Sequence, residues 1–95
     1  MYTNILTGPS KLDLLTSLAY SQNISQRHYV VFTTQETSKS IKIRQQVNIV
    51  AMKVDDESGE SWILEGYIKR RNGFSRKVII NYRTDTRVGF IEDAR

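Results

Sequence analysis

The stretch from Ile41 to Val54 constrains the fold of this chain more than any other. Ile41, Ile43, Val47 and Ile49 alternate with Lys42, Arg44, Gln46 and Asn48, the period of two of a strand with one face on a core and the other in water. The phase then reverses, because Val50, Met52 and Val54 fall on the opposite parity. A slip of one residue would turn every side chain to the wrong face, so a reversal inside one strand implies a bulge or a sharp bend. Sharply bent strands are what small barrels are made of.

The remaining elements follow from punctuation and residue type. Gly8-Pro9-Ser10 breaks the chain and offers Ser10 as a helix N-cap, with Asp13 three residues on standing where a capping box has Glu or Gln. Leu12, Leu14, Leu15, Leu18 and Ala19 recur at helical spacing, which predicts a helix over about 10–21 packing its apolar stripe on a sheet. Ser21-Gln22-Asn23 ends it. From Arg27 the residues become β-branched and aromatic. His28 to Thr34, Ile41 to Val54, Ser61 to Ile68, Phe74 to Arg83 and Val88 to Ile91 read as strands. Asn72-Gly73 is a strong short hairpin signal, so the strands on either side of it should pair antiparallel. The expectation is a single α+β domain over residues 1–95, an N-terminal helix followed by about five antiparallel strands, with the β region at about 27–92, forming a bent sheet or small barrel.

Ninety-five residues suit one core, since a second would bury too little apolar surface to offset its ordering entropy. No apolar run approaches the roughly 18 to 20 residues of a membrane span, and no basic-then-apolar leader opens the chain. A cytoplasmic protein is therefore expected. Without cysteine there is no disulfide framework, thiolate nucleophile or cysteine zinc site, and no cofactor is called for.

Charge is concentrated. Between Gly66 and Arg87, seven cations (Lys69, Arg70, Arg71, Arg76, Lys77, Arg83 and Arg87) face one acid, Asp85, a net +6, which leaves −2 for the rest of a chain whose total is +4. Lys69, Arg70 and Arg71 flank the Asn72-Gly73 turn and Arg76 and Lys77 lie across from them, so five cations crowd one end of a ribbon and repel one another unless an anion is drawn in. Tyr67, Phe74 and Tyr82 are interleaved with them, and aromatic faces among cations suit stacked bases and phosphates. Strand aromatics also pack in cores, the better assignment for Tyr82 and Trp62. The candidate nucleic-acid-binding residues are thus Tyr67, Lys69, Arg70, Arg71, Phe74, Arg76, Lys77 and Arg83, with contact mainly to phosphates. A solvated edge hairpin protected from edge-to-edge pairing, or a surface for an acidic protein, accounts for the same charges.

An order of one helix and about five antiparallel strands is used by Sm-like and SH3-like barrels. Trp62-Ile63-Leu64, then Tyr67 and a basic hairpin, resembles the Trp-Tyr-Leu strand of the WYL domains, with Ile63 in place of the middle tyrosine. The resemblance covers about residues 27–84. It implies an Sm-like barrel of bacterial and phage-related regulators that sense ligands or nucleic acid, with Tyr67, Arg76 and Arg83 lining the binding face.

Other chemistry is poorly served. Asp55, Asp56, Glu57 and Glu60 lack the spacing of a calcium loop and read as a solvated turn, or as a surface for a basic partner, including the basic hairpin of another copy in a homo-oligomer. His28 is the only histidine and has no triad partner at a diagnostic spacing. G-x-S-x-G, Walker A and G-x-G-x-x-G motifs are all missing. The leading expectation is a non-catalytic nucleic-acid-binding or regulatory module. The alternative is a small phage-type or bacterial protein-interaction factor that binds and alters a larger machine. A metal-independent ribonuclease toxin using Tyr67, Arg76, Lys77 and Arg83 to stabilise phosphorane charge is a minor one, because such toxins interleave helices with their sheet.

Overall fold

Six antiparallel strands, each hydrogen-bonded to the next in the chain and the last to the first, close into a barrel in the computed structural model, which describes residues 2–16, 28–36, 41–69 and 73–94. They are β1 (Tyr2–Thr7), β2 (His28–Glu36), β3 (Ile41–Val54), β4 (Ser61–Lys69), β5 (Ser75–Arg83) and β6 (Val88–Asp93). Alternation sets the inside. Val47 on β3, Leu64 on β4, Ile80 and Tyr82 on β5 and Phe32 on β2 are all buried, with the residues on either side of each more exposed. Tyr82 meets Phe32 edge-on, ring centroids 5.5 Å apart at 74°, the arrangement that brings a positive ring edge to a negative face.

The phase reversal in β3 is a bulge. Ile49 pairs with Gly66 and Ala51 with Glu65, so Val50 is an extra residue with no partner position on β4. On one side of it Val47 and Ile49 point inward, and on the other Met52 packs against the core. Gly66 lies opposite the bulge because nothing larger fits: a Cβ there would stand 2.5 Å from the Asn48 carbonyl oxygen and 2.9 Å from Val47 Cγ1. Trp62 Nε1 donates to Gly59 O at 3.0 Å, and the Tyr82 hydroxyl donates to Pro9 O at 2.6 Å, tying the chain after β1 across the barrel end.

The α+β expectation is corrected: the fold is nearly all β. Among the described residues helix occupies only 11–16, where Ser10 Oγ accepts from Asp13 N at 3.3 Å, and residues 17–21 of the expected helix lie outside the described part. Of its described leucines Leu14 enters the core while Leu12 and Leu15 are exposed, so among the described residues there is no packed stripe, and Leu18 and Ala19 lie outside them. The strand count is six because Tyr2–Thr7 is a strand that sequence reading missed. It presents one aliphatic, Leu6, to the interior, too little for an alternating signature. It closes the barrel by pairing on both sides, Leu6 with Thr34 of β2 and Gly89 of β6. Closure gives every strand a neighbour on each side, although β3 runs on past its last described pairing with β4 at Asn48.

Candidate binding face of the barrel

The expected basic hairpin forms, with Tyr67 opposite Lys77, Ile68 opposite Arg76 and Lys69 opposite Ser75. Gly73 takes φ +86° with open space around it, the left-handed conformation a tight turn needs. Arg70, Arg71 and Asn72 lie outside the described residues. Phe74, beside the turn, is 72% exposed.

Alternation on β4 and β5 divides the other candidates. Tyr67, Lys69 and Lys77 point outward, whereas Arg76 shares the inward parity of Val78 and Ile80 and meets Asp93 of β6 at the barrel rim. Arg83 is six residues along β5 from Lys77, about 20 Å at strand rise. There it is held two-pronged by Asp85, Nε to Oδ1 at 3.1 Å and Nη2 to Oδ2 at 2.8 Å. That contact pushes the arginine above its ordinary pKa and holds Asp85 below its own. The trio that the WYL resemblance groups, Tyr67, Arg76 and Arg83, is thus dispersed, and the four residues of the ribonuclease scheme do not converge. Two acids of the acidic turn are engaged: Asp56 Oδ1 accepts from Ser58 Oγ at 2.9 Å and Ser61 N at 3.3 Å, and its pKa is lowered chiefly by Ser58. Glu60 receives the Thr84 hydroxyl and, at 3.0 Å, Lys11 Nζ, which lower its pKa in that order. No group of three or more metal-ligating residues occurs among the described residues.

What the fold does assemble is a row across the outside of four strands. Tyr29 of β2 pairs with Asn48 of β3, Asn48 with Tyr67 of β4, and Tyr67 with Lys77 of β5. Beyond Asn48 and Tyr67, on the hairpin side, no ladder pair joins β3 to β4 among the described residues, while β3 stays with β2 and β4 with β5. The sheet forks, and the fork opens a hollow of about 390 Å³ lined by Tyr29, Arg44, Gln46, Asn48, Tyr67 and Lys69 and floored by Gln45 and Ile68. Both tyrosines are exposed, at 46% and 37%. Among the described residues no carboxylate pairs with Lys69, Lys77 or Arg44. Tyr29, Arg44, Gln46 and Asn48 escaped sequence reading because their proximity to Tyr67 depends on the β2–β3–β4 register. The alternation that turned Arg44, Gln46 and Asn48 outward was the one available signal.

Comparisons with protein-family models, curated proteins and solved structures return no significant match. No helix among the described residues is long and apolar enough to cross a membrane.

Proposed function

We propose that this barrel is a non-catalytic nucleic-acid-binding module whose outer face over β3, β4 and β5 contacts phosphates through Lys69 and Lys77, with Arg70, Arg71 and Phe74 of the hairpin turn adding to it. The observation that carries the proposal is the row Lys77–Tyr67–Asn48–Tyr29, with Lys69 beside it: exposed rings, an amide and cations that pair with no carboxylate among the described residues, on one continuous surface. Cations attract the backbone, and rings offer faces to bases without regard to sequence. Arg76 and Arg83 leave the proposed contact set, since each is engaged by a carboxylate.

The test is binding of fluorescent single-stranded RNA, single-stranded DNA and duplex DNA across a salt series. Affinity should fall by roughly 0.7 to 0.9 log units per log unit of salt for each phosphate neutralised, and Lys69→Glu with Lys77→Glu should abolish binding while leaving the melting temperature near the parent's. Full affinity in that variant sinks the site assignment. A second reading, a factor that docks on a larger protein, is favoured by one observation: Ile5 and Phe90 are cross-strand partners on the β1–β6 side, exposed at 48% and 57%. Such an apolar contact would be far less sensitive to salt.

A further inference from the structure

We infer that the nucleic acid taken by this face is single-stranded, with one unstacked base lodged in the β3–β4 fork between Tyr29 and Tyr67 and the backbone leading past Arg44 toward Arg87. The inference rests on the proposed nucleic-acid reading and sharpens it to a substrate class. Tyr29 and Tyr67 stand on either side of Asn48 in one cross-strand row, so their Cα atoms are two strand spacings apart, about 10 Å. A flat base with a ring on each face needs the ring planes about 7 Å apart, twice the base-stacking rise of about 3.4 Å, a gap these two side chains can span. Beneath lies the hollow of about 390 Å³, the size of a small-ligand pocket and far too small for a duplex segment. Gln45, Gln46 and Asn48 line it, and each amide carries both a donor and an acceptor for the edge of a base. A base still paired and stacked in a helix exposes neither its faces nor its Watson–Crick edge, whereas a splayed base in a single strand exposes both.

The direction of the backbone follows from a second hollow. It measures about 300 Å³ and is lined by Thr7, Gly8, Pro9, Val31, Thr33, Arg44 and Arg87. Arg44 lines both hollows, so the two form one track across the outside of the barrel. In the second, Thr33 stands between Arg44 and Thr7 by register, offering hydroxyls beside the cations. Arg87 is oriented there by its Nε, which donates to Gly8 O at 2.9 Å, and no carboxylate among the described residues pairs with it. Lys77, Lys69, Arg44 and Arg87 would meet about 4 phosphates and by themselves contribute roughly 3 to the salt slope on a single strand, to which Arg70 and Arg71 would add.

The experiment compares three ten-nucleotide ligands on the full chain: oligothymidylate, an abasic strand with the same phosphates, and a duplex. Each is titrated into the parent, Tyr29→Leu/Tyr67→Leu, Tyr29→Phe/Tyr67→Phe and Arg44→Gln, with folding checked by circular dichroism. The parent should bind oligothymidylate at least about tenfold more tightly than the abasic strand or the duplex. The leucine pair should lose roughly tenfold to hundredfold on oligothymidylate and nothing on the abasic strand, and the phenylalanine pair should keep the parent's affinity. Arg44→Gln should weaken both single strands and lower the salt slope by about 0.7. Equal binding of abasic and base-bearing strands, or of duplex and single strand, overturns the base pocket and leaves phosphate contact standing. No binding of any ligand at low salt overturns both.

Discussion

Replacing Gly66 with alanine tests how the bulge and the candidate face depend on one another. The added Cβ would sit 2.5 Å from the backbone oxygen of Asn48, whereas carbon and carbonyl oxygen come no closer than about 3.3 Å across a sheet. The strands would have to part by about 0.8 Å where their spacing is about 4.8 Å, and the obstructing atom is main chain, which no rotamer change can move aside. Overpacking of this kind costs about 1–3 kcal/mol, and the rigid partner places Gly66→Ala near the top of that range. The smaller conformational freedom of alanine in the unfolded chain returns about 0.4–1 kcal/mol, leaving a net loss of about 2 kcal/mol, or roughly 8–16 °C in melting temperature for a domain of this size. Gly73→Ala is the control. Its φ of +86° with nothing within 4 Å carries only the left-handed penalty of about 1–2 kcal/mol, offset by the same gain in the unfolded state. Urea unfolding of the parent and both variants, with m-values compared, separates the two. Gly66→Ala as stable as the parent would refute the close-approach argument and show that the bulge opposite can absorb a methyl group.

Three further outcomes are expected. Tyr82→Phe keeps the edge contact with Phe32 but loses the 2.6 Å bond to Pro9 O, so denaturant unfolding should show a loss of about 1–2 kcal/mol, and no change would mean that the tie contributes nothing. Asp56, Glu60 and Asp85 have pKa values held below their ordinary 3.8, 4.5 and 3.8. Their contribution is therefore complete above those values and lost as pH falls through the lowered ones. The melting temperature should hold from neutral pH to about 5 and then decline, less steeply in Glu60→Gln, and identical acid slopes in the two proteins would contradict the Lys11–Glu60–Thr84 assignment. Arg83→Ala should leave nucleic-acid affinity within about twofold, because its charge is already met by Asp85, while Lys77→Ala should reduce both affinity and salt slope. A large loss in Arg83→Ala would move the binding face to the other end of β5.

What the sequence determined by itself was local. Runs of β-branched and aromatic residues announced the strands from β2 to β6, alternation and its reversal at Val50 announced a bulge or bend in β3, and Asn72-Gly73 announced the β4–β5 hairpin, because each is written in the residue types and two-residue period of a strand or in the φ demanded of a turn. Ser10 marked a helix start by its capping side chain, but a cap and a set of leucines do not say how many turns will form or which leucine the barrel end will admit, and of the described Leu12, Leu14 and Leu15 only Leu14 is buried. Closure was decided in three dimensions. Tyr2–Thr7 has one inward aliphatic and becomes a strand because two edges, those of β2 and β6, are left to pair with it. The candidate face was decided in the same way. Charge density drew attention to the hairpin, yet side-chain direction turned Arg76 to the rim, strand length carried Arg83 about 20 Å away, and register brought Tyr29, Arg44 and Asn48, remote in the chain, to Tyr67 and Lys69. Composition reports how much charge and aromatic surface a chain has, whereas pairing between distant strands determines which of it meets.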